Sequence, residues 1–267
     1  MSTPDKPETA DNQEEELAEG TLISHLVELR SRLLKVSAAV IGVFVCLLPF
    51  SRNIFEIVAA PIVDVLPGGQ MIATEVASPL LTPFKLTFFV ALFVAMPVVL
   101  YQTWAFVAPG LYRKEKKFAF PLLGSSIILF YAGVCFAYFV VFPLIFGFMT
   151  SVAPAGVEVM TDISSYLSFI TMIVLAFGMA FEVPIATVLL VWTGLTTPAK
   201  LSKARPYVFL GAFVIGMFLT PPDVFSQTLL AIPVYLLFEL GIIMSRIFTR
   251  QRETSDDEAV ATGSQKS

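Results

Sequence analysis

The run from Ser165 to Trp192, SYLSFITMIVLAFGMAFEVPIATVLLVW, decides the fold of this chain. A helix needs about 20 apolar residues to cross a hydrocarbon core of roughly 30 Å. This run exceeds that length and carries one charge, Glu182. A helix apolar on every face lies either in a large core or in a bilayer. Working outward, Leu33–Phe50, Phe84–Val107, Phe118–Phe142 and Leu229–Met244 repeat the pattern, each bounded by Pro, Gly or charge. A further run, Tyr207–Leu219, is shorter and fenced by Arg205-Pro206 and Thr220-Pro221-Pro222-Asp223. The six runs predict an all-α, polytopic membrane protein with short fifth and sixth spans.

Composition agrees. Apolar residues make up 56% of the 267 and charged residues 14%, and the mean hydropathy is +0.80. A soluble domain carries about 25% charged residues, so a water-facing surface cannot be built from this chain. The acids crowd into Met1–Glu28 and the last residues, so the low pI describes the tails. No basic face interleaved with aromatics appears, which excludes a nucleic-acid partner. We divide the chain into an acidic cytoplasmic tail (1–21), a six-span membrane domain (22–248) and a C-terminal cytoplasmic tail (249–267), both tails being polar enough to predict disorder. The first twenty residues hold no apolar stretch, so the first span is expected to act as an uncleaved anchor.

Cationic loops stay on the cytoplasmic side. Of the 17 Lys and Arg residues, all but Arg52 and Lys85 fall in the N-terminal segment, the second loop, the fourth loop or the tail. That alternation predicts six spans with both termini cytoplasmic. Pro97, Pro121, Pro184 and Pro233 lie in or near spans, where the missing donor bends a helix and neighbours must compensate. A curved bundle follows. No internal repeat argues for an inverted-repeat transporter.

Few residues can carry chemistry. Glu182 and Glu239 lie inside apolar runs, where a carboxylate costs roughly 2.5–3.5 kcal/mol and is a functional candidate by default. For Glu239 the bland reading is a structural acid near Arg246 and interfacial water. For Glu182, followed by Pro184, the rival to a binding role is a proton relay in a small-molecule secondary transporter. Glu28 opens the first span in HLVELRSR (25–32), with Arg32 at i+4 as its plain partner. Glu115 sits among lysines in YRKEKK (112–117), and Asp223 reads most simply as a cap of the last helix. Cys46 and Cys135 lie in apolar runs without metal-ligand spacing, and His25 is the sole histidine. Triads, zinc sites and phosphate loops therefore lack parts, so neither catalysis nor a cofactor is expected.

Seven strings in order carry a resemblance: HLVELRSR (25–32), MIATEVASP (71–79), YQTWAFVAPGLY (101–112), FVVFPL (139–144), FGMAFEVP (177–184), KARPY (203–207) and LTPPDVFSQ (219–227). On a six-span frame they resemble the TatC family, the receptor subunits of the twin-arginine protein translocase, over roughly residues 22–248. The resemblance implies a bacterial inner-membrane protein that binds the Arg-Arg motif of signal peptides and assembles with single-span TatA- and TatB-type subunits and with itself. Folded cargo then crosses the membrane at the expense of the proton-motive force. It also implies that Glu28 and Glu115 bind the two arginines. Arg30, Arg32 and Phe106 are implied to lie at the signal-peptide site, Pro61 and Asp223 to matter at the outer face, and Glu182 to face docking partner helices.

Overall fold

The computed structural model describes residues 8–63, 71–107, 116–152, 161–219 and 223–264. Among these residues every regular element is helical; the only strand-like contact is an isolated parallel bridge between Ile72 and Asp162. Four helical stretches are long and apolar enough to cross a membrane: Leu26–Ala60, Pro121–Val152, Ile163–Trp192 and Val224–Thr249. A bent pair, Ser78–Val94 with Met96–Phe106, and one shorter apolar helix, Arg205–Leu219, complete the apolar set.

The breaks fall where proline removes a backbone donor. Helix α1 (Glu8–Leu47) passes through a 3-10 turn at Leu48–Phe50, which contains Pro49, into α2 (Ser51–Val63). Proline near the start of a new turn leaves no internal bond unmade, so the chain stays helical beyond Phe50. Helix α3 (Ser78–Val94) meets α4 (Met96–Val107) at 49°, with Pro97 second in α4. Helix α5 (Lys116–Phe136) widens into a π turn at Ala137–Val141 before α6 (Phe142–Val152). Pro143 has no N–H for the carbonyl of Phe139, and the π turn lets the Phe142 N–H reach back to Ala137 instead. Helices α7 (Ile163–Ala180) and α8 (Val183–Trp192) break at Phe181-Glu182, ahead of Pro184. Then follow α9 (Pro198–Lys203), α10 (Arg205–Leu219) and α11 (Val224–Ser264).

One expectation needs correction. The sixth span is not short: helix begins at Val224 rather than Leu229, because Asp223 caps it and the polar Ser226, Gln227 and Thr228 are helical too, giving 26 residues to Thr249. Helix α1 begins at Glu8 and α11 runs to Ser264.

The interior is built from aromatic and branched side chains. Ala59, Phe142, Ile145, Tyr166, Ile173, Phe177 and Leu230 form one buried cluster, and Trp104, Leu122, Ile185 and Val188 a second. Helix α8 packs on α11, α10 on α11, α5 on α7 and α1 on α3. Glycine permits the closest approaches, as small residues do where lipid supplies no hydrophobic drive. A Cβ on Gly133 would stand 2.5 Å from the Phe177 carbonyl oxygen, and one on Gly241 would stand 2.9 Å from the Pro184 Cα.

Candidate functional site

Polar groups gather at three levels of the bundle. Midway along α1, the Arg32 guanidinium donates to one oxygen of Glu28 through Nε and Nη2, at 3.0 and 2.6 Å. Its Nη1 donates to Gln102 Oε1 at 3.2 Å, and Nη2 also reaches the Ala105 carbonyl at 3.0 Å. The Ala105 carbonyl belongs to the last turn of α4, whose carbonyls have no intrahelical donor. Arg32 thus satisfies that helix end while fixing Glu28, half-buried, beside it. Both bonds fall on Glu28 Oε1, and Oε2 takes none among the described residues. Phe106 follows Ala105 and is half-buried, whereas Arg30 is exposed two residues along from Glu28. Glu115 lies outside the described residues.

In the middle of the bundle, Glu182 stands at the break between α7 and α8. Its Oε2 accepts from the Ser126 hydroxyl of α5 at 2.5 Å, while its Oε1 is buried without a partner among the described residues. A buried carboxylate oxygen left open is where a further donor would be accepted. Glu239, by contrast, is ion-paired within the bundle. Arg205 Nη2 donates to Oε2 at 2.7 Å, and its Nε lies 2.6 Å from Oε1 in a charge contact without hydrogen-bond alignment, so the ion pair ties the start of α10 to α11. The structural reading of Glu239 is the one realised, although its partner is Arg205 and not Arg246. Arg246 donates instead to Ser202, joining α11 to α9 at 2.8 Å.

At the opposite end, Asp223 accepts from the Ser226 N–H at 2.6 Å and caps α11, its plain reading. Pro61 lies in the last turn of α2. Sequence reasoning missed Asp162, which caps α7 through the Ser165 N–H and hydroxyl and also accepts from the Thr74 N–H and hydroxyl. The string 71–79 is thereby buttoned to α7, assisted by Ile72 N–H to Thr161 and Ile163 N–H to Ile72. The signal was present as Asp162-Ile163-Ser164-Ser165 at the head of an apolar run.

These bonds hold the Asp162 carboxyl well below the usual carboxylate range, the Ser165 N–H being the largest cause. A depressed carboxyl stabilises the fold above its unfolded pKa of about 3.9 and loses that contribution as pH falls further. Asp162→Asn should therefore lower the apparent Tm in detergent at pH 7, with the gap to wild type closing below about pH 4. A gap that persists unchanged in acid would contradict the assignment.

The spans and their internal polar groups define a polytopic α-helical membrane protein. Comparison with known proteins narrows the class. Residues 24–233 match the family described as "Sec-independent protein translocase protein (TatC)". The chain is 59% identical over 236 residues to the TatC protein of Escherichia coli K12, covering 87% of this chain and 92% of that one. It is 39% identical over 235 residues to the TatC protein of Aquifex aeolicus, covering 87% and 97%. A crystal structure described as the twin arginine translocase receptor TatC superposes with a TM-score of 0.76 at 39% identity, over 84% of this chain and 99% of that one. The chain belongs to the TatC family of protein translocase proteins.

Proposed function

We propose that this protein is the receptor of a twin-arginine translocase. It binds the Arg-Arg motif of signal peptides at its cytoplasmic face and gathers single-span TatA- and TatB-type subunits, and further copies of itself, to carry folded proteins across the bacterial inner membrane. It catalyses no covalent step, and the proton-motive force drives transport. The observation that carries this reading is the likeness to a solved twin arginine translocase receptor along 99% of that chain. In this reading the bent pair is one span and α10 another, so that six spans place both termini in the cytoplasm, in accord with the distribution of Lys and Arg.

The chemistry of Glu28 supports the peptide site. Guanidinium groups are planar and permanently charged, and a carboxylate accepts them two-pronged in a way lysine cannot match. Arg32 occupies one carboxylate oxygen and leaves the other for an incoming arginine. A pair of this kind at i,i+4 contributes only about 0.3–0.5 kcal/mol, so a peptide guanidinium can share or displace it. Glu115 supplies the second acid, with Arg30 and Phe106 at the rim. Affinity comes mainly from the apolar part of the signal peptide in the bilayer, and the acids supply selectivity.

Helix α10 has 15 residues. At about 1.5 Å each it spans about 22 Å, short of a hydrocarbon core of roughly 30 Å. Thinning of the bilayer on that side answers the mismatch and favours partner assembly there. Inserting one apolar turn into α10 should cut transport and crosslinking to single-span partners several-fold; unchanged values for both would remove the idea.

The reading as a receptor is tested in liposomes. The purified protein should capture a photocrosslinkable Arg-Arg signal peptide and pass no solute under an imposed proton gradient. Solute flux without peptide capture would favour a proton-coupled transporter using Glu182 and overturn the proposal.

A further inference from the structure

A proline inside a helix withholds the N–H that would serve the carbonyl four residues earlier. In hydrocarbon no water replaces it. Pro61, in α2, withholds the donor for Ile57, and Pro97, in α4, withholds the donor for Phe93. The Tyr138 hydroxyl donates to the Ile57 carbonyl at 2.9 Å, and the Tyr131 hydroxyl donates to the Phe93 carbonyl at 2.9 Å. The Ile57 carbonyl lacks its helical donor because of Pro61, and the Phe93 carbonyl, at the α3–α4 junction where Pro97 can offer no N–H, is left with only the N–H of Ala95 two residues on.

Both tyrosines come from the third span, Tyr131 from α5 and Tyr138 from the π turn. Seven residues make about two helical turns, so the pair falls near one face. Tyr166 of α7 reaches the next carbonyl, Val58, at a longer 3.4 Å; the helical donor of Val58 is Ile62, which is not a proline.

We propose that Tyr131 and Tyr138 are positioning residues, each matched to one proline, that hold the bend of the second span and the outer end of the first. Tyr131 fixes the junction at which α3 and α4 diverge by 49°. Beyond that junction α4 presents Gln102 and the Ala105 carbonyl to Arg32, and through Arg32 it places Glu28. Tyr138 anchors α2 where Ala59 enters the cluster that contains Val141 and Phe142.

The test is a set of four double-substitution cycles in the full-length protein, read as apparent thermal stability in detergent. Tyr138→Phe should lower the folded-to-unfolded ratio by about tenfold, the cost of stranding one carbonyl. Combined with Pro61→Ala, which restores an N–H to Ile57, the same change should cost little. Tyr131→Phe should be rescued in the same way by Pro97→Ala. The crossed combinations, Tyr138→Phe with Pro97→Ala and Tyr131→Phe with Pro61→Ala, should be additive. Additivity in all four cycles, or rescue indifferent to the pairing, would overturn the proposal. If either alanine variant fails to accumulate, serine at that proline supplies the same N–H.

Capture of an Arg-Arg peptide gives a second readout, and this arm alone rests on the proposed receptor function. Tyr131→Phe should weaken capture more than Tyr138→Phe. Paired rescue of stability without that difference would count against the peptide site while leaving the tyrosine–proline pairing standing.

Discussion

Replacing Gly241 with alanine should prevent the protein from accumulating as a monodisperse species in detergent. Glycine to alanine inside a helix ordinarily gains about 1 kcal/mol. Here the new Cβ would sit 2.0 Å from Thr187 Oγ1 and 2.9 Å from the Pro184 Cα. The threonine hydroxyl can rotate away, but the proline backbone cannot, so α8 and α11 must separate. Overpacking of this kind costs about 1–3 kcal/mol or more and overrides the propensity gain. Gly133→Ala should behave alike, because its obstacle is the Phe177 carbonyl oxygen at 2.5 Å. Gly42→Ala and Gly124→Ala meet nothing within 4 Å and should be tolerated or slightly stabilising. Size-exclusion profiles of the four variants decide the matter; wild-type behaviour for Gly241→Ala would show that the helices are not so closely opposed.

The second large effect is expected at Glu182. On the proposed reading its open Oε1 receives a polar group from a docking partner helix, while Oε2 stays with Ser126. Glu182→Leu should reduce transport by about tenfold or more, since a lost charge-assisted bond in hydrocarbon contributes about 1.5–3 kcal/mol. Glu182→Gln, which keeps an acceptor toward Ser126 and a polar edge toward the partner, should retain part of the activity. Capture of signal peptide should be unchanged in both. Loss of capture together with transport would assign Glu182 to the fold rather than to assembly.

The spans were legible because hydrophobic length is a local property: a run such as Ser165–Trp192 announces itself without knowledge of its neighbours. The capping role of Asp223 was legible for the same reason. Pro97 and Pro184 marked the bends, yet nothing in the local sequence says which group serves the freed carbonyl. Tyr131 is 38 residues from Phe93, and Tyr138 is 81 from Ile57. Along the helix Glu239 has Arg246 as its nearest basic neighbour, whereas its partner Arg205 stands 34 residues away at the start of α10. Charge pairs within a span can be read from spacing, and those between spans need the packing. At the candidate site the i,i+4 pair of Glu28 with Arg32 was visible in the sequence. The second attachment of Arg32, to Gln102 and Ala105 of α4, was not, and that attachment is what gives Glu28 a fixed position.

The central claim is that two carboxylates at the cytoplasmic edge select arginine over lysine. It is tested most directly by photocrosslinking the purified protein to matched signal peptides bearing Arg-Arg or Lys-Lys, with wild type set beside a Glu28→Ala, Glu115→Ala variant. Wild type should favour the Arg-Arg peptide about tenfold, and the variant, inserted normally, should lose both the yield and the preference. Equal capture of the two peptides by wild type, or undiminished Arg-Arg capture by the variant, would contradict the account.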